Sequence, residues 1–177
     1  MKYAIAFVLI AFMLSCSTVN TAFDYDRQAD FSKYKTYGLN PNRLSESVGQ
    51  LNADRIMKAV EDELAKKGFS KSGSPDAIVD VHMKSEQKQE ATATTTGMGM
   101  GPWGAYRFGG GFATTSINYD DYTEGTLFIT LIDASSKKII WQGTATKTLN
   151  ENASTEKREA NIKTAVEQIM ANYPPRK

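Results

Sequence analysis

The chain has 177 residues, with 21 lysines and arginines against 20 aspartates and glutamates, one histidine and one cysteine. That length is one domain's worth, and the near-neutral balance leaves no electrostatic footprint for nucleic acid or an anionic lipid surface. One cysteine allows no internal disulfide, so packing must supply the stability.

The first element is a leader. Lys2 gives a positive start, Tyr3 to Leu14 is almost unbroken apolar sequence, and Ser15 and Ser17 flank Cys16. A membrane-spanning helix needs about 20 apolar residues, whereas a secretory signal needs only about 7–15. The expectation is a lipoprotein signal over residues 1–15, cleaved to leave Cys16 as the new N-terminus. Met13 stands where such signals usually carry Leu. An ordinary cleaved signal would instead leave a free thiol in an oxidising compartment. A lipidated Cys16 carries diacylglycerol on its sulfur and usually a third chain on its amine. One chain anchors only marginally, and two or three hold stably. Ser17 follows the cysteine, where Asp would favour inner-membrane retention in proteobacteria. The expected location is therefore the outer membrane, facing the periplasm, with residues 16–177 forming a single domain.

Val19 to Asp26 alternates loosely, and Tyr34 to Leu39 follows as a second strand that Asn40-Pro41-Asn42 ends. Ile56, Val60 and Leu64 recur every four residues and predict a helix over Asn52–Lys67, with Asn52 as N-cap and Gly68 just past the end. Ala77, Val79, Val81 and Met83 alternate with Ile78, Asp80, His82 and Lys84, the pattern of a half-buried antiparallel strand.

Residues 97–111 hold seven of the thirteen glycines. A structureless loop of thirty residues would argue against the surrounding assignments. Threonines on both sides favour strand, so one long hairpin is expected, with arms near 77–96 and 112–132 and residues 97–111 as a flexible tip. Between Glu90 and Asp120 the only charge is Arg107. Gly125 to Ala134 is the clearest strand. Asp133-Ala-Ser-Ser-Lys137 turns the chain, and Lys138 to Leu149 returns. A last helix from about Thr155 to Asn172 carries Ile162, Val166 and Ile169, and Pro174-Pro175 stops it. The order β-β-α-β-β-β-α predicts an α+β fold, an antiparallel sheet with two helices on one face.

Several phrases occur together in order. They are Phe23-Asp24-Tyr25-Asp26, Asp30-Phe31-Ser32-Lys33-Tyr34-Lys35-Thr36-Tyr37, Leu64-Ala-Lys-Lys67-Gly68-Phe69 and Pro75-Asp76-Ala77. Tyr122 to Leu127, Leu131-Ile132-Asp133, Ile140-Trp141-Gln142-Gly143 and Tyr173-Pro174-Pro175 follow. Over nearly all of residues 16–177 the chain resembles a family of bacterial envelope lipoproteins grouped as a domain of unknown function, DUF4136. That resemblance implies an α+β fold and a lipid anchor, and brings no catalytic residues.

The chemistry-bearing constellations are sparse. Gly99-Met-Gly101-Pro-Trp-Gly104 matches G-x-G-x-x-G, but Pro102 and the glycines beyond do not open the helix a dinucleotide site needs. Met98 and Met100, with His82 and Met83 upstream, are soft ligands of the kind copper(I) takes, but His82 lies far from the tip. Asp24, Asp26 and Asp30 lack the glycine and distal Glu of a calcium loop. Asp120, Asp121 and Glu124 form an acidic cluster expected as a solvated turn, and Glu61-Asp62-Glu63 a solvated helix face. Asn152-Ala-Ser154 fits a glycosylation sequon of little weight in a bacterial lipoprotein. Nucleophile-elbow and zincin motifs are absent, so neither metal nor cofactor is expected.

Met98, Met100, Trp103, Tyr106, Arg107 and Phe108 lie among glycines at the hairpin tip. Flexible glycines with methionine and aromatic side chains can re-pack against an apolar partner. The expected function is that of a non-enzymatic binding or structural module, held to the membrane through Cys16 and meeting an envelope protein or an apolar ligand. An envelope hydrolase using acidic residues and a Met-based copper protein are the alternatives.

Overall fold

Apolar alternation and helical periodicity resolve into one mixed sheet and three helices in a computed structural model, which describes residues 19–40, 44–97 and 113–175. The elements are β1 (Asn20–Tyr25), β2 (Thr36–Asn40), α1 (Leu44–Val48), α2 (Gln50–Lys66), β3 (Ser70–Lys71), β4 (Ala77–Gly97), β5 (Ala113–Asp133), β6 (Ile139–Thr148) and α3 (Thr155–Met170). The strand order is β1-β6-β5-β4-β2-β3.

The long hairpin is present with nearly the expected arms, β4 and β5 pairing from Ala77↔Asp133 to Gly97↔Ala113 without a break in register. The sheet is mixed rather than antiparallel, because β2 runs parallel to both β3 and β4. Alternation identifies the buried face of a strand but carries no information about its neighbours' direction. Here α1 and α2 form a crossover that returns the chain in the direction of β2. Two short elements were too brief to register as periodic, the single-turn α1 and the two-residue β3.

Helix α2 begins two residues before the expected N-cap. Gly49, at φ 75°, occupies the cap position, and the Asn52 side chain donates to the Val48 carbonyl instead. Its far end follows the sequence reading. Gly68 has φ 82°, its N–H donates to the Ala65 carbonyl, and that of Phe69 reaches the Leu64 carbonyl. This pair of bonds satisfies the last orphan carbonyls, and it turns Phe69 back into the core. Helix α3 is capped by Ser154, whose hydroxyl accepts from the Lys157 N–H at 3.3 Å.

The core lies between the helices and the sheet face bearing Val79, Val81, Leu127, Ile129, Leu131, Trp141 and Ala145. Trp141 is fully buried. Its ring lies across Gly143, where an added Cβ would sit 2.5 Å from both the indole and Ile169 of α3. The chain end completes this region. Tyr173 stacks edge-on to Trp141 at 5.5 Å and to Phe31 at 5.7 Å, and burial raises its phenol pKa.

One polar hub sits at the end of the β5–β6 turn. Asp133 is 5% exposed. It accepts from the Ser135 N–H and hydroxyl, the Ser136 N–H, the Lys33 amine at 2.9 Å and the Tyr34 hydroxyl at 2.7 Å. These bonds, the Ser135 hydroxyl's first and then those of Ser136, Lys33 and Tyr34, hold the carboxyl well below the usual carboxylate range. A folded-state pKa below the unfolded value of about 3.9 stabilises the fold above that pH, and the contribution is lost as pH falls beneath it. Asp133→Asn is therefore expected to melt earlier than the parent at neutral pH. The two melting curves should converge as pH is lowered from about 4 toward 2. A difference independent of pH would show that the carboxylate's charge is not what the hub uses.

Candidate interaction surface

Two strands outrun the rest of the sheet. Strand β6 ends where Thr148 pairs with Glu124, and β2 ends where Asn40 pairs with Asp80. Beyond those rows, Gln87–Gly97 and Ala113–Thr123 pair with each other, and among the described residues no further strand joins them, the Leu149 N–H alone reaching the Thr123 carbonyl at 2.8 Å. At about 3.3 Å per residue, they form a ribbon that projects well clear of the core.

The alternation that buries the sheet continues into the ribbon, where the side chains beyond its base are exposed among the described residues. One face carries Ala91 and Ala93 beside Tyr119 and Ile117, and the other carries Thr92 and Thr94 beside Asn118 and Ser116. Ile117 is 56% exposed and Tyr119 62%. The Thr95 and Thr115 hydroxyls lie 3.2 Å apart across the strands. Among the described residues of the ribbon, charge is confined to the base. Lys88 pairs with Glu124 and Lys84 with Glu86, while Asp121 accepts from the Gln89 amide at 2.8 Å. The acidic cluster is thus part of a strand ladder rather than a turn.

The residues expected at the tip, Met98, Met100, Trp103, Tyr106, Arg107 and Phe108, lie outside the described residues, as does Cys16. The other copper candidates separate. His82 stacks on Phe128 at 4.6 Å on the open sheet face, with Nδ1 3.3 Å from Asp80. Met83 faces the opposite way, over Gly125. Asp24, Asp26 and Asp30 each accept a nearby backbone N–H, those of Tyr25, Gln28 and Ser32. Glu61 pairs with Lys71 at 2.7 Å. Among the described residues no three His, Cys, Asp or Glu side chains converge as a metal site would require.

The sequence reading passed over two features. Asp76 joins β2 to β4 by accepting from the Lys35 and Thr36 N–H groups and the Thr36 hydroxyl. Its phrase Pro75-Asp76-Ala77 was visible, but no pattern links a turn aspartate to a strand 40 residues earlier. The second is a groove of about 490 Å³ where α2, α3 and the end of β6 meet. Val48, Ile56, Met83, Leu149 and Ile162 line it, and Lys147 and Arg158 stand at its side. Lys147 donates to the Asn161 amide oxygen at 2.9 Å and Arg158 to the Glu151 carbonyl. Among the described residues no helix is long and apolar enough to cross a membrane.

Residues 21–175 match the family model described as a domain of unknown function, DUF4136. In fold the chain is similar to a PDZ domain protein from Parabacteroides distasonis ATCC 8503, at 15% identity and a TM-score of 0.57, over 99% of this chain and 41% of that one. The chain thus spans about two fifths of that protein's length. It is also similar to a PelC dodecamer from Paraburkholderia phytofirmans, at 12% identity and a TM-score of 0.50, over 90% of this chain and 99% of that one. No curated protein matches the sequence.

Proposed function

Because the chain belongs to the DUF4136 family, a domain of unknown function, we propose its role from its own residues: a lipid-anchored, periplasm-facing envelope lipoprotein that acts as a non-enzymatic binding or structural module. The observation that carries this reading is the projecting ribbon. A two-stranded ribbon is marginally stable alone in water, and a long exposed edge with an apolar row invites association. It is a costly thing for a fold to present unless something meets it. The anchor half of the reading rests on the leader, where a short apolar run ends at Ser15-Cys16-Ser17.

A second reading is favoured by the groove beside α3. An apolar floor with a few polar groups at its side is how small-molecule sites are built, so carriage of an apolar ligand is the alternative within the same class. The hydrolase alternative has less support, since the acidic residues named from the sequence serve as ladder partners, turn caps and surface ion pairs.

Both halves of the reading can be tested in cells. Cys16→Ala is expected to move the protein from the membrane fraction to the soluble fraction and to abolish incorporation of labelled fatty acid. A photo-crosslinking residue at Trp103 should capture a dominant protein or lipid adduct that the same residue at Glu61 does not. Membrane association unchanged in Cys16→Ala would overturn the anchor. No adduct above the Glu61 control would overturn the tip as the contact point.

A further inference from the structure

Strands β4 and β5 leave two long edges open. Among the described residues the outer edge of β4 has no strand partner beyond Asp80 and that of β5 none before Glu124, apart from the Leu149 N–H, which donates to the Thr123 carbonyl. Natural sheets blunt such edges with charge, proline, bulges or a covering element. Those devices are thin here. No charge or proline occurs in Ala91–Gly97 or Ala113–Tyr119, and the register runs unbroken along the ribbon. Among the described residues this leaves a row of backbone groups without a strand partner on each side of an uncharged strand pair, with a regular apolar face.

The charges at the base distinguish the edges. Strand β5 is acidic there, with Asp120, Asp121 and Glu124, whereas β4 alternates Lys84 and Lys88 with Glu86 and Glu90. Two β5 edges brought together would set the acidic cluster against its copy, and like charges opposite one another destabilise a strand pair. Two β4 edges brought together would leave both β5 edges open. Laying β4 of one copy against β5 of the next covers every edge, runs antiparallel as the hairpin itself does, and sets the acidic β5 base against a β4 base whose charges balance rather than against its own copy. Because the two edges differ, such a contact is heterologous and repeats until it closes.

We propose that the ribbon pairs edge to edge with the ribbons of further copies of this chain, β4 against the neighbour's β5, to close a ring of more than two protomers. The Ala91–Ala93–Ile117–Tyr119 row would then run continuously around one face of the ring and the threonine row around the other. This rests on the reading above that the ribbon is the element that meets a partner, and it names that partner as a second copy.

The test uses the full chain purified from membranes in detergent. Native mass spectrometry is expected to give a whole multiple of the protomer mass greater than two. The contact is then mapped by co-expressing a Thr92→Cys chain with a Ser116→Cys, Asn118→Cys or Asp120→Cys chain and oxidising. At least one pair should give mixed disulfide dimers several-fold above either variant alone and above the parent, which carries only Cys16. A monomer at tens of micromolar would overturn the proposal. So would a simple dimer, or disulfides formed as readily by one variant alone, the mark of like-edge pairing. Membrane release of Cys16→Ala is read separately, so a monomer that is still membrane-bound sinks the ring and leaves the anchored module standing.

Discussion

Trp141→Ala is expected to be the most damaging single substitution in the core, lowering stability by about 3–5 kcal/mol, the range for truncating a fully buried aromatic side chain. For a chain of this length that corresponds to a melting temperature lower by about 6–20 °C. The indole is 0% exposed and fills the space over Gly143, between α3 and the chain end. No hydrogen-bond partner reaches its Nε1 among the described residues. Its contribution is therefore volume and contact, and losing the N–H orphans nothing. Trp141→Phe should consequently cost much less than Trp141→Ala. Gly143→Ala should itself cost about 1–3 kcal/mol through overpacking. That cost should shrink in the Trp141→Phe background, because the six-membered ring of the indole is half of what the new methyl would strike. The remaining half, Ile169, stays. Thermal melts of the four proteins give the coupling directly. Purely additive costs would mean that Trp141 and Gly143 do not share the site as described.

The ribbon should behave in the opposite way. Replacing residues 86–124 by Asn-Gly joins Ser85 to Gly125, which face each other across the ladder, through the tight turn that two-residue hairpins favour. The excised segment contributes no buried side chain among the described residues. The remaining body is therefore expected to fold and to melt close to the parent. Every ribbon-dependent property should vanish, from crosslinked adducts to association between copies. A body that fails to fold would place the ribbon within the cooperative unit. Unchanged association would move the contact elsewhere, with the groove beside α3 the next place to look.

The legibility of this chain divides along a physical line. Features set by local periodicity were readable. Ile56, Val60 and Leu64 mark the buried stripe of α2, Leu127, Ile129 and Leu131 the buried face of β5, and Gly68 the helix stop. The hairpin arms were found from threonine content and from the implausibility of a structureless loop of about thirty residues. Features set by contacts distant in sequence were not readable. Parallel pairing of β2 with β4 depends on where a crossover deposits the chain, and the Asp133 hub depends on Lys33 and Tyr34, about a hundred residues earlier. For the site, the sequence pointed to the hairpin end as unusually uncharged. It did not reveal that β2 and β6 both stop short, which is what turns a hairpin into a free ribbon with two open edges.

The pairing of β1 has a consequence for how the molecule is made. Among the described residues the first strand finds its only sheet partner in β6, Asn20 opposite Thr146. A chain emerging N-terminus first, from a ribosome or a translocation channel, therefore carries β1 unpaired until almost all of its length has followed. Closing so long a loop makes assembly slow and leaves strand edges open meanwhile. The interval between emergence and completion is when this protein is most open to proteases and to holding chaperones.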